Sequence, residues 1–488
     1  MADNTSDNKM HRSLGLMDAT MIVAGSMIGS GIFIVSADMS RTVGSTGWML
    51  FLWLLSGLIT VMAALSYGEL AGMMPKAGGQ FVYIQRAWGN LTSFLYGWTV
   101  FTVIQTGVIA AVAVAFAKFT AVFLPVFSVD NILFEAGFLK ISAAQLLAIV
   151  LIWFLTVFNM RGVEGGKTLQ TIFTSAKLVA ILALIVFGIG AGLKTETLSQ
   201  NFSNLWDAST LIKQKDGSWI AENISGLALL LALGTGIIGS LFSSDAWNNV
   251  TFIAGEIKEP QRNIPRSLIL GTGIVTILYF LANISYLSLL PLQGSATATD
   301  VIGQGIQFAG AGTDRVGTAA ASMILGDAAV WVMAALIMVS TFGCNNGIIL
   351  AGARVYYAMA KEKLFFARAA TLNKNGVPQF ALIIQAVWAS VLCLSGTYGD
   401  LLDYVTFASL LFYVVTIAGI FILRKKEPDT PRPYKALLYP FLPLLYILLA
   451  GLICVILLIT KTQNTGSGLL SVLLGVPVYY WMKRKVIT

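Results

Sequence analysis

Few residues in this chain have the chemistry to bind or react, and most of them stand in apolar surroundings. The first group is Gly25-Ser26-Met27-Ile28-Gly29-Ser30-Gly31, in the middle of an apolar run from about Leu16 to Val35. The second is Gly239-Ser240-Leu241-Phe242-Ser243-Ser244-Asp245-Ala246-Trp247-Asn248-Asn249, which sets small and polar residues and one carboxylate inside another such run. Glycine costs about 1 kcal/mol relative to alanine in a helix interior, and serine competes for the hydrogen bonds of its own backbone. Both stretches are expected to break the helices that carry them. An opened helix offers N–H groups at the start of its outer half, where the dipole favours an anion. It offers carbonyl oxygens at the end of its inner half, which suit an ammonium group. A zwitterionic amino acid carries both charges close together. On this reading Ser30 and Gly31 present amides to the carboxylate, and carbonyls near Met27 and Phe242 face the amine. Ser26, Ser30, Ser243 and Ser244 add hydroxyls, and Ile28 and Gly29 lie in the same opened segment. Small residues in one membrane helix equally serve close packing. Two such segments at corresponding positions, one holding Asp245, favour a binding site.

The rest of the chain offers little for catalysis. The one histidine, His11, is in the polar N-terminal tail, and Cys344, Cys393 and Cys454 all lie in apolar stretches, as small buried hydrophobes do. No Walker loop, Cys/His cluster or catalytic triad is present. The expectation is a protein that is not an enzyme and needs neither cofactor nor metal. The first ten residues are too acidic and polar for a signal peptide.

Positioning these groups falls to long apolar segments. Of 488 residues, 57% are hydrophobic and 11% charged, and the mean hydropathy is +0.79. Soluble domains carry about 25% charged residues, so the chain is an integral membrane protein that meets lipid bilayer. About twelve spans are expected, near 16–40, 46–73, 92–124, 141–160, 168–192, 224–254, 265–290, 327–359, 379–396, 402–424, 435–459 and 466–482. The net charge of +8 sorts by connection and does not mark a nucleic-acid partner. With the N-terminus inside, 22 of the 31 lysines and arginines fall on inner connections and seven on outer ones. The remaining two, Lys118 and Lys177, lie within or at the end of spans. Positive charge stays inside, which places both termini in the cytoplasm.

The two interrupted spans are the first and the sixth. An odd offset gives the matching halves opposite orientation, the mark of an inverted repeat. The expected fold is all-α, a five-plus-five core with helices 1 and 6 broken at the midplane. Its parts are a cytoplasmic tail (1–14), a core (15–425) with repeats at about 15–192 and 223–425, and two added helices with a short cytoplasmic end (426–488).

Specific motifs then match a known family. Gly29-Ser30-Gly31-Ile32-Phe33 is accompanied by Ser66-Tyr67-Gly68-Glu69-Leu70 and by Pro75 to Tyr83. Trp247-Asn248-Asn249, Gly255 to Pro260, Arg262-Asn263-Ile264-Pro265 and Ser340-Thr341-Phe342-Gly343 follow. Together they resemble the L-type branch of the amino acid–polyamine–organocation superfamily, including its bacterial exchangers, over nearly the whole chain. The resemblance implies the LeuT-like inverted-repeat fold and an L-amino acid substrate. It implies carboxylate binding by Ser30 and Gly31, and amine binding by carbonyls at Met27, Phe242 and Asp245. It also implies closure by Phe242 from outside, with Trp247 beside it in the gate. Asp245 departs from the glycine that many large-neutral-amino-acid members hold there. A carboxylate at this place either favours a small or cationic substrate or caps the broken helix.

Lys177 is the sharpest single residue. A lysine at mid-span costs a few kcal/mol and marks function by default. It stands about 12 Å in from the inner end at ~1.5 Å per residue, too deep to snorkel without an internal partner. In the family this lysine occupies the place of the sodium ion of related carriers, which implies sodium independence. Its expected contacts are carbonyls near Gly25 and the hydroxyls of Ser340 or Thr341, and proton carriage is a second open role. Gln105 either lines the pocket or faces a neighbouring helix. Glu69, Asp18, Glu256 and Arg354 stand near cytoplasmic span ends, as an inner gate or as helix anchors. The Gly294–Asp327 stretch is a long outer connection with a possible lid.

The expected function is sodium-independent exchange of small or medium neutral L-amino acids by alternating access. Spans one, two, six and seven would rock against spans three, four, eight and nine. Proton-coupled uptake of amino acids or polyamines is the alternative within the class; a channel or an amino-acid-sensing receptor is the alternative outside it. The outer loop from Pro125 to Lys140 has no cysteine, so no disulfide-linked heavy chain is expected. That leaves a monomer or homodimer in a bacterial inner membrane.

Overall fold

The computed structural model describes residues 12–136, 139–310, 314–394 and 398–487; Lys9 and His11 fall outside them. The helices of the first half are α1 Leu16–Met27, α2 Ser36–Val43, α3 Thr46–Met73, α4 Gln80–Trp88, α5 Asn90–Thr99, α6 Gln105–Phe123, α7 Ala143–Met160, α8 Val163–Gly192 and α9 Thr197–Asn201. Those of the second are α10 Gly226–Ser243, α11 Asn249–Phe252, α12 Pro260–Leu289, α13 Val301–Gln304, α14 Val316–Leu325, α15 Ala328–Lys361, α16 Gln379–Cys393, α17 Tyr398–Lys426, α18 Phe441–Thr460 and α19 Thr462–Ile487. A π-helical turn, Val100–Ile104, joins α5 to α6 in one continuous span.

Among the described residues, nine helices are long and apolar enough to cross a bilayer. The other three expected spans are the broken α1–α2 pair, the shorter α16 and α19, which contains Pro477. The chain is an all-α multi-pass membrane protein. Two short hairpins are the exception. β1 (Ile132–Ala136) pairs antiparallel with β2 (Leu139–Ser142), and β3 (Ser209–Lys213) with β4 (Trp219–Asn223). Both stand in connections between spans, where a polar backbone can pair with itself outside the apolar segments. The first hairpin leads into α7 through a capping box, in which the Ser142 N–H donates to Gln145 Oε1 at 2.8 Å.

Helix packing forms two groups. In one, α12 lies along α3 and α1, and α10 lies against α3. In the other, α6, α7, α15 and α16 pack on one another. α8 touches both groups, through α1 and α12 on one side and α15 on the other. Small residues allow the close approach: a side chain at Gly188 or Gly192 of α8 would run into Ser285 or Ser288 of α12. Lys177 therefore sits on a helix that packs against both groups, which also meet directly where α1 touches α15.

Candidate functional site

Both expected breaks are present. α1 ends at Met27, Ile28 is extended (φ −76°, ψ 93°), and the chain resumes with a 3-10 turn at Gly31–Phe33 before α2. α10 ends at Ser243, and the next regular turn is α11 at Asn249. Phe242 and Ser243 thus close α10 and do not lie in the gap, which runs from Ser244 to Asn248. Ala246 adopts φ 63°, a left-handed conformation that costs a residue with a Cβ about 1 kcal/mol or more and is held here by its surroundings. The two breaks are in direct contact: a Cβ at Gly31 would overlap the Ser243 side chain.

Lys177 ties the first break to α15. Its ammonium donates to the Gly25 carbonyl at 2.6 Å, to the Ile28 carbonyl at 2.7 Å and to the Ser340 carbonyl at 3.4 Å. The Ser340 hydroxyl was an expected partner and is committed elsewhere, donating to the carbonyls of Ile28 and Gly29 at 3.1 Å each. Thr341 bonds back to Ile337 in its own helix. Lysine and serine thereby share the carbonyls that the broken turn leaves without helical partners. The Cys344 thiol adds a contact to the Ser26 carbonyl at 3.1 Å, while the buried Ser26 hydroxyl has no partner among the described residues.

Sequence reasoning missed Tyr279. Its hydroxyl stands 3.1 Å from the Met27 carbonyl and 3.1 Å from the Ser243 carbonyl, so one side chain of α12 spans the ends of both half-helices. A single tyrosine in an apolar helix carries no spacing signal that would have marked it.

Asp245 lies in the second gap and turns towards α17. Its carboxylate accepts the Tyr413 hydroxyl through Oδ1 and the Ser409 hydroxyl at 3.3 Å through Oδ2. Trp247 is buried behind it, with ring centroids 4.8 Å from Tyr67 and 5.3 Å from Tyr413. A small cavity of about 20 Å³ adjoins Asp245 and is lined by Gln80, Gln105, Asn248, Asn249 and Ile348 among others. Gln105 both lines this cavity and reaches a neighbour, donating to the Ile348 carbonyl at 2.8 Å. The π-helical turn just before it aims Val100 and Ile104 at the same space. Gln80 donates to Thr416 at 3.0 Å and accepts from Asn248 at 2.8 Å, so α4, α17 and the gap are cross-linked.

The charged residues at the span ends form separate pairs. Arg354 and Glu256 are fully buried partners, with Nε–Oε1 at 3.0 Å and a second nitrogen at 2.9 Å. The backbone of Glu256 also accepts the N–H groups of Ser13 and Leu14 at 3.0 Å each, which fixes the N-terminal segment beneath the gap. Glu69 instead takes Arg424 (2.8 and 2.6 Å), Arg432 (3.2 Å) and the Ala436 N–H (2.7 Å). Asp18 caps its own helix through the Gly15 N–H at 2.8 Å. On the opposite face Arg41 holds Asp314 at 2.7 and 2.9 Å and the Gln307 carbonyl at 2.6 Å, which pins α2 to the Gly294–Asp327 connection.

Two facing discontinuous helices, a lysine on a helix that packs against both groups and a small polar cavity define a secondary membrane carrier. The chain belongs to the amino acid permease family, which it matches over residues 14–481. It is 30% identical over 485 residues to the serine/threonine exchanger SteT of Bacillus subtilis (strain 168), covering 99% of each chain. It is 30% identical over 480 residues to the human large neutral amino acids transporter small subunit 2, covering 97% of this chain and 82% of that one. It is 28% identical over 472 residues to the human Asc-type amino acid transporter 1, covering 96% and 82%. The family is one of transporters, not enzymes.

Proposed function

We propose that this chain exchanges small or medium neutral L-amino acids across a bacterial inner membrane without sodium. The observation that carries the reading is the Lys177 ammonium held on the carbonyls of Gly25 and Ile28, the oxygens of an opened helix that a bound cation would otherwise use. Named relatives that are exchangers or transporters of serine, threonine and large neutral amino acids support the substrate class. Ser30 and Gly31 bind the carboxylate at the start of the outer half of helix 1. Carbonyls of Met27, Phe242 and Asp245 take the amine, Ser26, Ser243 and Ser244 stand beside it, and Phe242 closes from outside with Trp247 behind.

The group of α1, α3, α10 and α12 moves against that of α6, α7, α15 and α16, and α8 transmits the motion. The two repeats span about 15–192 and 223–425, both termini are cytoplasmic, and the protein works as a monomer or homodimer without a disulfide-linked heavy chain. The test is flux of labelled L-alanine into liposomes containing the purified protein. Uptake should need unlabelled amino acid inside and be indifferent to replacing sodium with potassium. Equal uptake into empty vesicles overturns exchange, and dependence on a proton gradient would favour symport instead.

A further inference from the structure

The turn between α17 and α18 builds an open cavity that amino acid exchange does not use. It measures about 370 Å³, far more than the roughly 10–15 Å³ that one water needs, and is lined by Arg424, Pro428, Thr430, Arg432 and Lys435. Among the described residues its wall holds three cations and no carboxylate. The acid that offsets them, Glu69 of α3, lies beneath with 1% of its side chain exposed, and both arginines share it. Glu427 is taken by Arg86, and the exposed Asp429 does not line the cavity. One buried carboxylate against three cations leaves two positive charges beside the space. The preference of positive charge for one side of a membrane accounts for the number of lysines and arginines here. It does not account for their convergence. Lys425 and Lys426 belong to the same segment and line no part of the cavity, and Lys426 donates to the Ala87 carbonyl at 3.1 Å instead.

The wall offers unused donors as well as charge. Arg432 spends its Nη hydrogens on the carbonyls of Leu423, Glu427, Pro428 and Thr430, which wraps the turn around it. Arg424 is held differently. Its Nε and Nη2 grip Glu69 at 2.8 and 2.6 Å, and the Tyr439 ring centroid is 3.6 Å from its Cζ, so the guanidinium is fixed in place. Its Nη1 makes no hydrogen bond among the described residues. Lys435 is exposed, and its ammonium has no partner among the described residues. A planar fork with one free edge and a point charge beside it suit a phosphate oxyanion. The residues that follow indicate which phosphate. Leu437, Leu438 and Phe441 are 53%, 66% and 76% exposed and lead into the exposed apolar face of α18 at Leu444, Leu445 and Leu448. A free anion has no use for them, whereas a lipid headgroup brings acyl chains that do. We propose that this cavity binds the phosphate of an anionic phospholipid, held by the Nη1 edge of Arg424 and by Lys435, with its chains along Leu437, Leu438 and Phe441.

The test is lipid binding to the full-length protein in detergent, read by native mass spectrometry with phosphatidylglycerol, phosphatidylcholine and inorganic phosphate as probes. Phosphatidylglycerol should bind about fivefold or more tightly than phosphatidylcholine, the factor that one cation at a membrane surface contributes for an anionic lipid. Lys435→Gln should weaken phosphatidylglycerol by about fivefold. It should leave the melting temperature of the lipid-free protein unchanged, because the side chain is exposed and makes no bond. Lys425→Gln removes the same charge from the same segment but outside the cavity, and should weaken binding far less. Arg424→Lys keeps a charge for Glu69 and loses the Nη1 edge, so it should weaken the same lipid. Equal losses from Lys435→Gln and Lys425→Gln would mean diffuse attraction to a basic surface, and equal binding of the two lipids would mean that charge is not recognised. Either overturns the proposal, and wild-type binding by Arg424→Lys overturns the role given to Nη1. Inorganic phosphate at millimolar concentration should not displace the lipid; if it does, the cavity takes a free anion and the lipid assignment fails.

Discussion

Lys177 Nζ stands 2.6 Å from the carbonyl oxygen of Gly25, in the last turn of α1. The same nitrogen is 2.7 Å from Ile28, the residue after the helix stops, so one ammonium covers both sides of the break. Gly25 is needed for the approach, since a Cβ there would overlap Gln170 and Thr174 of α8.

Replacing Lys177 with methionine keeps an unbranched side chain, one atom shorter, and removes the three donors. Hydrogen bonds to a charged group contribute about 1.5–3 kcal/mol each, and here two short ones are lost while their carbonyls stay buried. The expected result is loss of exchange together with a lower melting temperature in detergent. Wild-type exchange by Lys177→Met in liposomes would contradict the role assigned to the ammonium.

Tyr279→Phe removes one oxygen and leaves the packing of the ring against Trp53 (centroids 5.5 Å apart). The carbonyls of Met27 and Ser243 lose their shared donor, worth about 1 kcal/mol for a neutral hydrogen bond. The apparent affinity for amino acid should shift by about fivefold, with little change in melting temperature. A variant that keeps wild-type affinity would show that the hydroxyl does not set the spacing of the two half-helices.

These two residues differ in how far the sequence announced them. Lys177 was visible because a cation in an apolar span has to be explained, and so were the breaks at Gly25–Gly31 and around Ser244, through residues that disfavour helix. Tyr279 was not, because a tyrosine among aliphatic residues is ordinary in a buried helix and its two partners are 252 and 36 residues away. Gln80 stood inside a quoted motif, yet its link to Asn248 and Thr416 depends on how α4 and α17 meet. The hairpins at 132–142 and 209–223 were read simply as connections. The direction of the Asp245 carboxylate, towards Ser409 and Tyr413 of α17, was equally beyond a local pattern, since the partners come from a span more than 160 residues on.

Burial separates two ion pairs on the side where the N-terminal segment docks. Arg354 and Glu256 are essentially inaccessible, and removing one partner of such a pair costs about 3–5 kcal/mol because the other charge is left unpaired. Arg354→Met should therefore lower the melting temperature sharply and free the Ser13–Leu14 segment, read as faster amide exchange there. Arg86 and Glu427 are 2.7 Å apart with the arginine half-exposed, and an exposed pair contributes well under about 1 kcal/mol. The hydrogen bond from Arg86 holds the Glu427 carboxyl below the usual carboxylate range. A depressed value in the folded protein means this small stabilisation is complete above the ordinary carboxylate value and is lost as pH falls through the lowered one. Arg86→Gln should thus lower the melting temperature only slightly at pH 7, and by still less once pH falls below the lowered carboxyl value. A large effect at neutral pH would show that the pair does more than anchor α4 to the end of α17.

The contact between the two breaks gives the most direct test of the geometry. A Cβ on Gly31 would stand 2.9 Å from the Ser243 Cβ and 3.2 Å from its Cα, closer than packed carbons tolerate, and would overlap its hydroxyl as well. Overpacking of this kind costs about 1–3 kcal/mol, and it falls where two half-helices must meet, so Gly31→Ala should abolish most exchange. Gly273 of α12 and Gly190 of α8 have nothing within 4 Å of such a Cβ. Alanine at either should be neutral or stabilise its helix by up to about 1 kcal/mol, which controls for the general effect of losing a glycine. Adding Ser243→Gly to Gly31→Ala removes the hydroxyl and the Cβ but leaves the Cα in place, so exchange should return in part. Full exchange by the single variant, or none regained by the double one, would mean that the two segments do not need this close approach to carry substrate.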